Sequence, residues 1–154
     1  MRLTAFTDYS LRVLMYIAQA PGGRTTIAEA ARVLAVSENH LVKVAHALGK
    51  LGVLSNTRGR GGGLALAGPP RGVNVGRVVR ESESMAIAEC FDEGSNRCAL
   101  AGRCRLEAIL HEALDAFFQV LDRYTLEDLV RSPPMAAAVV EGPARARAAG
   151  GGAP

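Results

Sequence analysis

The chain has 154 residues, about half of them apolar, enough for one compact domain or two very small ones. No uncharged apolar run reaches about 18 residues, which excludes a spanning helix, and a start carrying Asp8 and Arg12 without a small-residue cleavage pattern reads as a mature cytoplasmic protein. The net charge of +3 is unevenly spread: residues 1–72 carry net +6 and residues 73–132 net −4, so the basic half suits a polyanion.

In chain order, Phe6, Tyr9, Val13 and Ile17 recur at helical spacing, which predicts a helix over about 7–19, ended by Pro21-Gly22-Gly23. Thr26-Ile27-Ala28-Glu29 reads as a capping box opening a second helix, with Ala30, Ala31 and Leu34 inward. After a short turn at Ala35-Val36, Ser37 caps a third helix. Its inward residues are Leu41, Val44, Ala45, Leu48 and Leu51, and Gly52 stops it. Val53-Leu54 and Leu64-Ala65-Leu66 flank the Gly-rich stretch 57–63, a pattern for a β-hairpin. This order predicts a mainly α fold with a small β-hairpin, a winged helix-turn-helix over 1–72.

Pro69-Pro70-Arg71-Gly72 marks a boundary, and a fourth helix follows Asn74 with Val75, Val78 and Val79 on one side. Residues 88–104 show no period and read as a loop. From Arg105 to Tyr124, Leu106, Leu110, Ala113, Phe117, Val120 and Tyr124 form a heptad-like seam, the pattern of a long helix that pairs with a second copy in a homodimer; packing back on the same chain is the alternative. Thr125-Leu126-Glu127-Asp128 can start one more short turn. The second unit therefore spans 73–131, and 132–154, rich in Ala, Gly and Pro, reads as a disordered tail.

Asn39, Lys43, His46 and Lys50 fall opposite the apolar side of the third helix. Such a helix enters the major groove of double-stranded DNA by its N-terminal end, where Asn pairs with adenine and Lys with guanine or phosphate. Glu38 is repelled by phosphates unless it accepts from a cytosine amino group. Arg58 and Arg60 in the glycine-rich turn suit the negative potential of a narrow minor groove. No Gly-Lys-Ser/Thr follows, so a nucleotide loop is not expected. The candidate DNA-contacting residues are Thr26, Ser37, Asn39, His40, Lys43, Lys50, Arg58 and Arg60. The three histidines, His40, His46 and His111, form no paired motif with an acid or nucleophile, and no enzyme is expected.

Cys90, Cys98 and Cys104 are spaced C-x7-C-x5-C. Zinc sites favour closer pairs; wider gaps suit the larger body of an iron–sulfur cluster, with zinc or unligated thiols as alternatives. Three sulfurs leave one corner of a cluster open. Asp8, Glu89, Asp92, Glu93, Glu107 and His111 are candidates for it.

The opening Met1-Arg2-Leu3-Thr4, Phe6-Thr7-Asp8-Tyr9, the Ser37…Asn39-His40-Leu41-Val42-Lys43 helix and the Arg58-Gly59…Gly62-Gly63 turn resemble the Rrf-two superfamily of winged-helix regulators. Val78-Val79-Arg80-Glu81, the three cysteines and Tyr124-Thr125-Leu126-Glu127-Asp128-Leu129-Val130 look like its NsrR branch of nitric-oxide-sensing repressors. The resemblance covers residues 1 to about 131. It implies a homodimer in which each subunit binds one cluster, [4Fe-4S] favoured and [2Fe-2S] possible, through Cys90, Cys98 and Cys104, with Asp8 of the other subunit completing the set. It further implies an inverted-repeat operator released on exposure to nitric oxide. A sister branch that senses cluster supply carries a histidine three residues after the last cysteine; here that position is Glu107. A regulator of the same fold that responds to iron–sulfur biogenesis or to iron or redox state, an electron-transfer protein and a zinc-stapled DNA-binding module are the competing readings.

Overall fold

A computed structural model describes residues 2–57, 63–92, 94 and 96–131. Helix α1 runs over Ala5–Gln19, two residues longer at its start than the periodicity predicts, because the Thr4 hydroxyl accepts the Thr7 N–H at 3.3 Å and caps it. Its inner face, Val13, Leu14 and Ile17, is fully buried. The equally buried Ser10 hydroxyl donates to the Phe6 carbonyl at 2.8 Å, which satisfies its proton. Pro21-Gly22-Gly23 ends the helix in a 3-10 turn with Gly22 and Gly23 at positive φ.

Helix α2 spans Ile27–Leu34. Thr26 caps it, accepting the Glu29 N–H at 3.1 Å, but the other arm of the expected capping box is absent. The Glu29 carboxylate instead accepts from the Thr25 hydroxyl at 3.1 Å and the Tyr16 hydroxyl at 3.2 Å. A buried tyrosine requires a partner for its O–H, and that demand wins over the local cap. Ala35 closes α2 in the left-handed region at φ 54°. A side chain there is strained by about 1 kcal/mol. Ala35→Gly is expected to raise stability by roughly 0.5–1 kcal/mol in urea unfolding; an unchanged or lower midpoint would show that the turn carries no such strain.

Ser37 caps α3, Glu38–Lys50, accepting the His40 N–H at 3.3 Å. Leu41, Val44, Ala45 and Leu48 are buried as the pattern predicts, while Leu51, just past the helix, is half-buried. Strands β2, Leu54–Thr57, and β3, Gly63–Leu66, form the hairpin, with Leu54 opposite Leu66 and Thr57 opposite Gly63. A short strand β1, Arg24–Thr25, adds to the other edge of β3 and makes a three-stranded antiparallel sheet in the order β1-β3-β2. Two residues are too few to show alternation. The signal for β1 lies in Gly63, where a Cβ would come within 2.6 Å of the Thr25 carbonyl.

The core extends past Gly72. Val73, Val78 and Leu126 share it with Leu14, Ile17, Leu41, Leu48 and Leu64. Asn74 caps α4, Val75–Ser82, and bridges antiparallel to Thr125. The Val75 N–H reaches the Tyr124 carbonyl at 3.0 Å and the Leu126 N–H reaches the Val73 carbonyl at 2.8 Å. These bonds seat the short helix α6, Leu126–Val130, against α1. Here the capping box is complete, between Thr125 and Asp128. The Thr125 N–H and hydroxyl hold the Asp128 carboxyl below the usual carboxylate range.

Helix α5 spans Arg105–Leu121, ending three residues before the predicted Tyr124. Past Leu121 the chain turns at Asp122, and the Tyr124 carbonyl accepts the Val75 N–H at the start of α4. One side of α5, with Leu114, Phe117, Phe118 and Leu121, packs on Val75 and Val79. On the expected seam, Leu106, Val120 and Tyr124 are 60%, 45% and 46% exposed, and Ile109 beside them is 49% exposed, so most of that apolar stripe has no cover among the described residues. Among the described residues no helix is long and apolar enough to cross a membrane. The predicted tail, 132–154, lies outside the described residues.

Candidate nucleic-acid interface and metal centre

The turn between α2 and α3 sets α3 against α1 and leaves its outer side to solvent. Asn39, His40, Lys43, His46 and Lys50 are all exposed, opposite Leu41, Val44 and Leu48. Thr26 and Ser37 are exposed at the starts of α2 and α3; each hydroxyl oxygen accepts a backbone N–H and retains its O–H for an outside acceptor. Glu38 is exposed in the first turn of α3. Arg58 and Arg60 lie outside the described residues, between the paired ends Thr57 and Gly63 of the hairpin.

Sequence reasoning passed over Val42, which is 51% exposed beside this polar strip. It sits three residues after Asn39 and four before His46, so the same helical spacing that placed the polar side could have found it.

Behind α3, the side chains of α1 form a connected set. Arg12 pairs with Asp8 at 3.3 Å and donates to the Leu34 carbonyl, at the end of α2, at 2.6 Å. The same guanidinium lies 6.0 Å from the Tyr9 ring centre, and the Tyr9 ring lies 5.9 Å from the His40 ring. Asp8 is thus three side chains from the outer side of α3, and its own side chain is 54% exposed.

The cysteines are half-buried free thiols around one loop. Cys90 lies in the 3-10 turn Glu89–Phe91, Cys98 in the loop, and Cys104 at the cap of α5. The loop is tied by its own polar groups. Glu89 accepts the Arg97 N–H at 2.9 Å, Asn96 the Cys98 N–H at 3.0 Å, and Glu107 the Gly102 N–H at 3.1 Å. Phe91 stacks on His111 at 4.1 Å and pins the Cys90 turn to α5. Burial pushes the Cys90 thiol up, aided by the Glu107 carboxylate and by Cys98 and Cys104, so each of these two cysteines lies within electrostatic reach of Cys90.

Among the described residues no three His, Cys, Asp or Glu side chains close around a single ion. The donor set nevertheless fits a larger soft centre: three thiols, one loop, and carboxylates already committed to holding it. Of the fourth-ligand candidates, Glu89, Asp92 and Glu107 accept loop N–H groups and His111 is stacked, whereas the Asp8 carboxylate is held, among the described residues, by an exposed ion pair with Arg12. Glu93 lies outside the described residues.

Residues 3–132 match the family described as "Rrf2: Iron-dependent Transcriptional regulator". The chain belongs to the Rrf2 family. Among the curated relatives of this Rrf2 protein are two named "HTH-type transcriptional regulator NsrR". The Bacillus subtilis protein is 47% identical over 134 residues, covering 86% of this chain and 92% of its own. The Shouchella clausii protein is 46% identical over 132 residues, covering 84% and 89%. The resemblance drawn from the sequence is thereby borne out, for the family and for its NsrR branch. Two solved structures share the fold. T. potens IscR has a TM-score of 0.68 at 23% identity, covering 85% of this chain and 87% of its own. The cysteine regulator CymR of B. subtilis has a TM-score of 0.65 at 24% identity, covering 86% and 98%. This Rrf2 chain is a DNA-binding transcriptional regulator of mainly α, winged-helix architecture, not an enzyme.

Proposed function

We propose that this Rrf2 regulator is a nitric-oxide-sensing repressor that binds an inverted-repeat operator as a homodimer. The observation that carries the sensing is the loop of three half-buried thiols, Cys90, Cys98 and Cys104, the last two within electrostatic reach of Cys90. The NsrR name of its relatives supports the same reading. The uncovered stripe Leu106, Ile109 and Val120 supports a second copy on α5.

In this reading Cys90, Cys98 and Cys104 hold an iron–sulfur cluster, [4Fe-4S] or [2Fe-2S], and Asp8 comes from the other subunit. When bound, that group supplies iron able to react with nitric oxide. Everything else falls to the chain's own residues. Asp8 has two alternative partners, Arg12 of its own helix and the neighbouring subunit's cysteine loop. Which one it takes decides the charge balance at Arg12. Arg12 also grips Leu34 and lies over Tyr9, whose ring touches His40, so that choice reaches the reading helix through packed side chains. A coupling of a few kcal/mol is enough to move the protein between bound and released states.

On DNA, Asn39, His40, Lys43 and Lys50 face the major groove, Thr26 and Ser37 the phosphates, and Arg58 and Arg60 the flanking minor groove. Val42 offers an apolar surface for a thymine methyl; deoxyuridine in place of each operator thymine tests that contact, and no affinity change at any position would remove it. Glu107 stands where the sister branch that senses cluster supply has a histidine, and it is occupied by the Gly102 N–H, which favours the nitric-oxide reading.

The test is a gel shift at fixed salt with anaerobically prepared protein. Untreated protein is expected to bind its operator, and protein exposed to a nitric oxide donor to release it. Equal affinity before and after would overturn the proposal.

A further inference from the structure

Among the described residues, α5 packs chiefly on α4, with Leu11 of α1 and Leu129 of α6 against the same cluster. The angle between the long helix and the winged helix is therefore set largely where α4 meets the end of α5. Two exposed residues shape it in an unusual way. Arg80 of α4 meets Asp122, the residue that ends α5, with both nitrogens of its fork, at 2.8 Å to Oδ1 and 2.5 Å to Oδ2. The guanidinium also lies flat enough over Phe118 to bring its carbon 4.2 Å from the ring centre. Gly76, one turn earlier on α4 and buried, is where Asp122 presses in. A Cβ there would collide with the Asp122 carboxylate and stand 3.1 Å from its backbone nitrogen. The Asn74 amide donates to the Asp122 carbonyl at 2.8 Å. Asp122 is thus held by α4 at both ends, through its side chain by Arg80 and through its backbone by Asn74.

An exposed ion pair adds little to stability. A two-bond fork between planar groups instead fixes direction, since it tolerates neither rotation nor sliding. Here the direction fixed is that of the winged helix relative to α5, whose free stripe faces the second copy.

We propose that the Arg80–Asp122 fork, seated on Gly76, is the joint that sets the separation of the two reading helices and so the spacing of operator half-sites the protein accepts. This rests on the homodimer reading above. One added or removed base pair shifts a half-site by about 3.4 Å and about 35° around the duplex axis, so a rigid joint registers it.

The probe is a duplex carrying the inverted repeat that loaded wild-type protein selects from a random pool, with versions one base pair longer and shorter between half-sites. Wild type is expected to lose about tenfold or more in affinity on either change. Arg80→Lys keeps the charge but cannot form the fork, and Asp122→Asn weakens it. At equal iron content and unchanged dimer mass, both variants are expected to bind the three duplexes within about threefold of one another. If the variants lose affinity equally on all three duplexes, keeping the wild-type spacing penalty, the joint is not the determinant. Arg80→Lys, the milder change, keeps that outcome readable if Asp122→Asn fails to fold. A wild-type protein indifferent to spacing contradicts the rigid dimer itself, and the joint falls with it.

Discussion

Cys98→Ser is expected to leave a folded protein that holds no iron or sulfide and binds the operator about 10- to 100-fold more weakly than the loaded form. Serine presents a hard oxygen that stays protonated near neutral pH, and soft iron–sulfur cores require thiolates. The backbone around the position does not depend on the sulfur, because the Cys98 N–H is held by Asn96 at 3.0 Å. The main core, from Val13 to Leu64 with Val73, Val78 and Leu126, contains no residue of the cysteine loop. Thermal melting should therefore match that of cluster-free wild type. Iron and sulfide analysis with anisotropy titration on the operator checks both halves. A variant that keeps iron and wild-type affinity would remove Cys98 from the site.

Lys43→Ala should weaken operator binding about 30-fold or more, because a base or phosphate contact contributes about 1–3 kcal/mol and the dimer makes it twice. Lys43 is exposed near the middle of the outer side of α3, so its removal leaves Leu41, Val44 and Leu48 packed as before. The loss of one positive charge per subunit also lowers the dependence of log affinity on log salt by about two. Titrations at three salt concentrations read both effects. Unchanged affinity and slope would mean that α3 does not face DNA.

Much of the fold was legible because its signals are local. Thr26, Ser37 and Asn74 each cap the helix that follows them, since a short side chain there meets an orphan N–H a few residues on. The hairpin and the inward side of α3 follow from spacing alone. What depends on distant partners was not legible. Glu29 abandons its capping box for Tyr16, thirteen residues earlier. Strand β1 exists only because β3 comes beside it. Helix α5 stops at Leu121, and Asp122 and Tyr124 just beyond it bond to Asn74 and Val75, partners that no local spacing announces. In the candidate site, the outer side of α3 and the cysteine spacing were visible. Val42 was not singled out, because an apolar residue off the buried side reads as noise. Tyr9 and Asp8 stand three and four residues before Arg12 on α1, a local spacing, but the Tyr9–His40 contact and the Arg80–Asp122 fork have no sequence pattern, since each joins elements that only folding brings together.

Oxygen-free purification followed by iron and sulfide analysis and a visible absorbance spectrum, before and after a nitric oxide donor, tests the sensor reading most directly. A brown protein containing iron and sulfide, whose visible spectrum changes on exposure to nitric oxide, is the predicted result. A colourless, folded dimer with neither iron nor sulfide, or one carrying zinc alone, would contradict it.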